Sequence, residues 1–404
     1  MGLGLGTHPP RVLIISNGNA EDLIGAALAR QLGLPTLALP LVGNGRAYEG
    51  AAEAVLGPRA TLPSGGFPFG SLANLAADLR AGLISTSLAQ WRAARAAARA
   101  AAAVVVVGDA YALWVGVRAG RGRPLFHLQP LVSAYYVEGR SWFSRLRHLN
   151  QLGADDFTPF ERHLQRYARA VYVRDAPSAA RLQRLGVRTA RFYGSFAMDV
   201  LPPPEQDLEP LRDGRPVLAL LPGTRRDVAF SLPRMLEAAY RLDEFEAFVA
   251  WGLPLAALPA CPGWRARQVR EGVLRLERDG RHAWVMRGAF SAILHSAALA
   301  LGTAGTANEQ AAGLGVPILG FPTPGPQYTR AFAERQQRLL GAALTLCPPD
   351  PERIAAAARA LWRDPEALER ARTAGRARIG PPGALPRIAT EVRQALLSPA
   401  ALHG

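Results

Sequence analysis

Twice along this chain, short apolar runs end in small-residue turns and give way to helical patterns, and a proline-rich break separates the two series. Arg11 is followed by Val12-Leu13-Ile14-Ile15-Ser16 and then Asn17-Gly18-Asn19, the pattern of a strand buried on both faces that feeds a turn. A helix is expected from about Glu21-Asp22 to Gly33, with acids at its positive end and glycine at its stop. Further strands are expected at Thr36–Val42, Val104–Val107, Leu125–Leu128, Val171–Val173 and Ala190–Tyr193. The break runs from Leu201-Pro202-Pro203-Pro204-Glu205 to Asp213-Gly214-Arg215-Pro216. Alternation then resumes with a strand at Val217–Leu221, a helix at Asp227–Leu242, and strands at Phe245–Trp251, Ala283–Met286, Ala298–Leu301 and Pro317–Phe321. Such alternation builds doubly wound parallel sheets. The expected fold class is therefore α/β, with two Rossmann-like domains, 1–200 and 217–380, joined by a linker at 201–216 and facing a central cleft. In the tail, 381–404, a last helix at about Pro386–Leu397 follows Pro381-Pro382-Gly383 and is expected to pack back on the first domain.

The length of 404 residues suits two domains of ordinary size, and a hydrophobic content of 49% supplies a core for each. All 47 basic residues are arginine, with no lysine, and the formal net charge is +15. Arginine in excess suits phosphorylated ligands, anionic membrane surfaces or nucleic acid. No zinc-finger spacing or aromatic RNA-binding string accompanies it, so nucleic acid is not expected. Without lysine there is no standard P-loop, which removes ATP or GTP hydrolysis of that kind. Two cysteines, Cys261 and Cys347, cannot form a disulfide framework or a four-cysteine zinc site, and they fit a reducing cytoplasm. Residues 1–10 lack the marks of a signal peptide, and the run Ala96–Val107 is too short to span a bilayer. The expected location is the cytoplasm, with peripheral attachment to the inner face of its membrane. An apolar stripe at helical spacing, Leu72, Leu75, Leu79, Leu83 and Trp91, is read as a helix on the sheet or as one meeting a lipid.

Ligands of open α/β sheets bind beyond the carboxyl ends of strands, so post-strand residues carry the functional argument. Leu301-Gly302-Thr303-Ala304-Gly305-Thr306-Ala307-Asn308-Glu309 joins a strand to a helix. Small residues there let backbone N–H groups approach a diphosphate at the helix N-terminus without a metal. Gly302, Thr303, Gly305, Thr306 and Asn308 are the candidate donor-binding residues, and Glu309 is a candidate acceptor for ribose hydroxyls. Leu221-Pro222-Gly223-Thr224-Arg225-Arg226 is a second such loop, with Gly223, Thr224 and Arg225 facing the phosphates. Arg287 opens a third loop, and Gln327 is a further donor-binding candidate. In the first half, Asp109 ends a run of four valines and is the candidate general base, with the N-cap of the following helix as its structural alternative. Asp22 is a second catalytic candidate, and Asn17, Gly18, His127 and Gln129 are candidates for the acceptor site. No residue set has convincing metal spacing, so no cofactor is expected. Gly2-Leu3-Gly4-Leu5-Gly6 precedes the first strand and lacks the context of a dinucleotide fingerprint.

Leu221–Arg226 (LPGTRR), Gly302–Glu309 (GTAGTANE) with Gly315-Val316-Pro317, and Tyr193–Asp199 (YGSFAMD) resemble motifs of lipid-A-disaccharide synthase. Ser16–Asp22, Gly65–Trp91 and Tyr172–Asp175 resemble more closely the lipid-A-disaccharide synthase-related proteins. This resemblance spans about residues 11 to 397. It implies a GT-B fold, a UDP-sugar donor, a lipid-linked acceptor and a hexosyltransferase activity in glycolipid biosynthesis. By the same resemblance Asp109 is the base, Arg225 the arginine at the leaving group and Glu309 the acid at the ribose. The chain departs from the synthase at Gly18, where a glutamate is expected, and from the related branch at Asn19 and Ala20, where His and Gly are usual. Two other readings share the sequence: a UDP-sugar 2-epimerase, and a non-catalytic protein that binds nucleotide-sugars or anionic surfaces.

Overall fold

The computed structural model describes residues 9–58, 83–139 and 155–397. It contains two compact units, residues 1–200 with 382–404 and residues 201–381.

Unit 1 holds a seven-stranded sheet in the order β3-β2-β1-β4-β5-β6-β7. Its strands are β1 Val12–Ser16, β2 Thr36–Pro40, β3 Ala54–Val55, β4 Ala103–Val107, β5 Leu125–Gln129, β6 Ala170–Val173 and β7 Ala190–Arg191. All pairings are parallel. Every residue of β1, β4 and β5 is buried, which is why these strands read as unbroken apolar runs. Helix α1, Asn19–Leu32, begins earlier than its acids suggested and stops at Gly33 in the left-handed region, φ 60°. Helix α2, Leu83–Arg99, holds the end of the apolar stripe read from sequence as a helix on the sheet or one meeting a lipid; Leu72, Leu75 and Leu79 lie outside the described residues, as does Gly2–Gly6. One face of α2 packs on the sheet, while Leu88 is exposed. Ala94 and Ala98 are buried, and Gln90 accepts from Tyr111 Oη at 2.9 Å while its own amide donates to Leu41 O. Helices α3 Ala110–Ala119, α4 Pro159–Gln165, α5 Ala176–Arg184 and α6 Phe196–Asp199 complete this part.

Unit 2 repeats the scheme with β8 Val217–Leu221, β9 Glu246–Trp251, β10 Arg265–Arg270, β11 Val273–Arg278, β12 Arg281–Arg287, β13 Ala297–Gly302, β14 Ile318–Gly320 and β15 Leu344–Leu346. The order is β10-β11-β12-β9-β8-β13-β14-β15, a parallel core with an antiparallel hairpin, β10–β11, added at one edge. Its helices are α7 Val228–Arg241, α8 Phe290–Ser296, α9 Gly305–Leu314, α10 Arg330–Leu340, α11 Pro351–Trp362 and α12 Pro365–Ile379. Residues 201–216 are not a free tether. Ser291 Oγ donates to Pro202 O at 2.5 Å, Gln206 donates to Arg287 O at 3.0 Å, and Arg212 pairs with the buried Glu246 at 2.7 Å. Among the described residues, no helix is long and apolar enough to cross a membrane.

The last helix, α13 Ala384–Leu397, belongs to unit 1. Leu385, Ile388, Ala389 and Val392 are buried in one cluster with Ile24, Leu28 and Leu32 of α1. Asp199 accepts from Leu385 N at 2.7 Å and from Gly383 N, which caps the helix start. Glu391 accepts from Tyr172 at 2.7 Å and Tyr193 at 3.1 Å, and pairs with Arg191. Ile388→Ala removes a fully buried side chain from this seam. It is expected to destabilise unit 1 by about 2–5 kcal/mol. Asp199→Ala is expected to cost about 1 kcal/mol, and urea titration of the full chain measures each.

Candidate functional site

In unit 1 the strand order reverses beside β1, so the carboxyl ends of β1 and β4 form the switch point where such sheets hold ligands. Asn17 follows β1 and Asp109 follows β4. Asn17 Nδ2 donates to Asp109 Oδ1 at 2.6 Å. The same Oδ1 accepts from Tyr111 N at 3.0 Å and Ala112 N at 3.2 Å, so Asp109 is the N-cap of α3. Its other oxygen, Oδ2, is buried without a hydrogen-bond partner among the described residues. Burial pushes the Asp109 carboxyl up to about 6 against the pull of these hydrogen bonds. Gly108, φ 145°, makes the arrangement possible: a Cβ there would stand 1.9 Å from Asn17 Oδ1.

Three other candidates in this unit are turned inward. His127 is fully buried and donates from Nε2 to Gly108 O at 2.9 Å; burial holds its pKa down at about 4, so it is a neutral strap on the β4–α3 turn. Gln129 is also fully buried. Its Oε1 accepts from Leu131 N at 2.9 Å and Val132 N at 3.3 Å, and its amide donates to Glu161. Both side chains are fully buried, and the bonds they make, from His127 Nε2 and from both polar atoms of Gln129, order the ends of strands. Asp22 accepts from Ser16 Oγ at 2.6 Å, and Ser16 in turn meets Tyr48 Oη at 2.8 Å. This chain fixes α1 on β1 and gives Asp22 a packing role, with its carboxyl raised to about 6 by burial. Gly18 is buried and extended, φ 175°.

Two acids were not singled out by sequence. Glu21 is buried under the start of α1, and its carboxyl rises to about 7 through burial, with the charges of Asp109 and Asp22 adding. Glu161 is buried on α4 and rises to about 8 through burial, with Asp109 and Asp156 adding. Helix-terminal acids are common, and nothing in their type or spacing separates these from solvated ones. Thr158-x-x-Glu161 reads as a capping box, but only Thr158 caps, accepting from Glu161 N at 3.1 Å.

In unit 2 the switch point lies between β8 and β13. Gly223, φ 80°, turns the chain after β8 so closely against the next loop that a Cβ there would stand 3.5 Å from Ala304 Cβ. Thr303 N donates to Leu221 O at 3.1 Å, closing the two loops together. Helix α9 then starts at Gly305 with Ala304 as N-cap and no side-chain cap, and the first bond back is Asn308 N to Ala304 O at 3.2 Å. Backbone N–H groups at such a start are available to an anion. Thr224, Arg225 and Thr306 are exposed, and Gly305, Glu309 and Gln327 are half-buried. Thr224 abuts the loop after β9, its Cγ2 standing 2.5 Å from the Cβ position of Gly252. Arg287 is exposed and ends β12, which pairs with β9.

Asn308 and Thr303 do not face outward, contrary to the sequence expectation. Asn308 is fully buried and donates to Gln336 Oε1 at 2.9 Å, Tyr328 Oη at 3.2 Å and Gly302 O at 3.3 Å. Thr303 donates to Ser231 Oγ at 2.8 Å. The helix start is locked from behind: Tyr328 Oη donates to Gln336 Oε1 at 2.7 Å, and Gln336 Nε2 donates to Gly305 O at 2.7 Å. Asp227 was read only as the start of a helix. It accepts from Tyr328 N at 2.9 Å, Gln327 N at 3.3 Å and Thr323 Oγ1, which pins the Gln327 segment to the Gly223 loop.

No family model matches this sequence, and no curated protein matches it significantly. Solved structures do align with it along nearly its whole length. The S. aureus MnaA–UDP co-structure aligns with a TM-score of 0.60 over 96% of this chain and 97% of that one, at 13% identity. CalG4, the calicheamicin glycosyltransferase, gives 0.62 over 96% and 98% at 19% identity. UDP-GlcNAc 2-epimerase from Neisseria meningitidis, bound to UDP-GlcNAc, gives 0.51 over 96% and 99% at 14% identity. Identities this low speak to architecture alone. Two Rossmann-like α/β domains with parallel sheets, matched end to end by such structures, give this chain the GT-B fold.

Proposed function

We propose that this protein is a hexosyltransferase that moves a sugar from a UDP-sugar to a hydroxyl of a lipid-linked acceptor at the cytoplasmic membrane surface, without a metal. The observation that carries the donor half is the uncapped start of α9 beside Gly223 and the exposed Arg225. Backbone N–H groups at Gly305 and Thr306, with the hydroxyls of Thr224 and Thr306, suit a diphosphate. Arg225 neutralises the charge that develops as the diphosphate leaves. Glu309, in the first turn of the same helix, is assigned to ribose hydroxyls, and the Arg287 and Gln327 loops flank the nucleotide.

Asp109 supplies the chemistry on the acceptor side. As the acceptor oxygen bonds to the anomeric carbon, the bond from that carbon to the diphosphate breaks, and its electron pair leaves with UDP. The hydroxyl proton passes to Asp109 Oδ2, the buried oxygen that has no partner. Asn17 and Gly18 lie beside it on the acceptor side. The lipid nature of the acceptor comes from the sequence resemblance, and the net charge of +15 suits an anionic leaflet.

The 2-epimerase reading is favoured by a different observation. Two buried acids, Glu21 and Glu161, hold protons near Asp109, and moving a proton off a carbon and back needs groups in both states. The two readings separate when the protein is incubated with a panel of UDP-sugars, with and without total membrane lipid. A new glycolipid in the mass spectrum, formed only with lipid, supports transfer; an acceptor-independent change of the sugar seen by NMR overturns it. Chelation with EDTA is expected to leave the rate unchanged.

Asp109→Asn keeps the N-cap, since asparagine caps equally well. It is expected to lower turnover by at least about 100-fold while leaving the calorimetric Kd for UDP unchanged. In the wild type, transfer should rise as pH passes through about 6, where Asp109 ionises. Arg225→Ala is expected to lower kcat by about 100- to 1000-fold and to weaken UDP binding as well.

A further inference from the structure

Glu21 is the third residue of α1, yet its carboxyl does not reach into solvent as a first-turn acid usually does. It folds back on the turn before the helix, and Oε2 lies 2.2 Å from the point where a Cβ on Gly18 would stand. The other residue of that turn, Asn17, donates its amide to Asp109. Two buried carboxyls thus flank one two-residue turn, and Asp109 Oδ2 has no partner there. The ionisable groups facing Glu21 are Asp22 on its own helix, Asp109 from the β4–α3 turn and Tyr48 from the turn after β2. Among the described residues none of these is a cation, and burial holds the Tyr48 phenol above its usual range and so neutral.

Two negative charges in so dry a place repel strongly, and a proton on one relieves the other. Hydrogen bonds decide which keeps it. Asp109 receives three N–H donors, from Asn17, Tyr111 and Ala112, and each favours its ionised form. Among the described residues the carboxyl of Glu21 is met only by its own backbone N–H, a contact that Asp109 also has. We propose that Glu21 is a positioning residue for Asp109: it keeps its proton while Asp109 is ionised, so that the turn carries one negative charge and Asp109 Oδ2 is its one strong acceptor for a substrate hydroxyl. Burial raises both carboxyls above the usual carboxylate range. This inference rests on Asp109 as the base. It adds a ceiling to the active pH range, because ionised Glu21 places a second charge and a second strong acceptor beside Asp109, so the form of the turn with one negative charge is lost as pH rises.

Carbon-13 NMR of the full chain with labelled glutamate carboxyls, assigned through Glu21→Gln, tests the protonation without any substrate. Glu21 is expected to titrate near 7; titration in the ordinary carboxylate range overturns the proposal. A second arm reads the pH profile of sugar transfer. Wild-type turnover is expected to fall about tenfold per pH unit above its ceiling. Glu21→Gln, which mimics the protonated form, should keep the rate at pH 6 and lose the fall, whereas Glu21→Ala should lose rate at every pH. If Glu21→Gln keeps the alkaline fall, the assignment is wrong. Gly18→Ala, allowed by the extended backbone, pushes the carboxyl aside without removing it and should shift its titration; an unchanged titration counts against the geometry. Absence of transfer with every acceptor sinks the transferase reading, while the NMR titration still decides the state of Glu21.

Discussion

One constraint recurs at the switch point of each unit: a buried asparagine amide lies against a glycine at the end of the strand that begins the second half of the sheet. In unit 1, Asn17 Oδ1 lies 1.9 Å from where a Cβ of Gly108 would be, and in unit 2 Asn308 Oδ1 lies 1.9 Å from the Cβ position of Gly302. The fold opens the sheet at these points, and an open sheet end exposes backbone polar groups that need partners. The asparagine Nδ2 is the group that serves in each: it donates to Asp109 in unit 1, and to Gly302 O, Tyr328 and Gln336 in unit 2. Only a strand end without a side chain lets it come so close. Everything assigned to ligand binding is built outward from these two closures. Asp109 is held by Asn17, and the start of α9 is held by Asn308 through Tyr328 and Gln336.

The two sites then diverge in charge. Unit 1 turns carboxyls inward and surrounds them with apolar strands, which raises each of them toward neutrality. Unit 2 keeps Asp227 occupied by backbone N–H groups, and leaves Arg225 and the start of α9 on the surface. Protons are managed where water is excluded, and anions are met where a cation is free to move. Base and diphosphate chemistry ask for these opposite environments.

The parallel strands were legible because burial on two faces leaves no polar positions: Val217–Leu221 is read to the residue. The β10–β11 hairpin was not, since Arg265–Arg270 is exposed at every position and has no apolar phase to detect. Strands β3 and β15, of two and three residues, are too short to carry a period. The loops singled out from sequence do lie at the carboxyl ends of strands, but sequence did not give the direction of side chains within them. Gly223, Thr224, Arg225, Gly305 and Thr306 lie at one sheet end with outward access, while Thr303, Asn308, His127 and Gln129, drawn from the same kind of position, turn inward. Residue type after a strand says that polar groups are needed there. Whether they serve a ligand or the backbone depends on contacts with residues distant in the chain, such as Gln336 or Ser231.

Buried acids without cations are a poor way to stabilise a fold, and the sign of their effect says why they matter. Glu161 titrates from 4.5 in an open chain to about 8 in place, so between those values the folded state holds a proton that the unfolded state has released. Stability from this group is fully present below the lower value and is lost as pH rises through the upper one, on the order of 1.4 kcal/mol per pH unit between them. Glu21 and Asp109 act in the same direction over narrower spans. At neutral pH unit 1 therefore carries a penalty that glutamine or an apolar residue would avoid. A chain selected for stability alone has no reason to gather three such groups at the one edge where its sheet opens. The placement of Glu21 and Glu161 near Asp109, whose Oδ2 has no partner among the described residues, is the strongest argument in unit 1 that this edge handles protons.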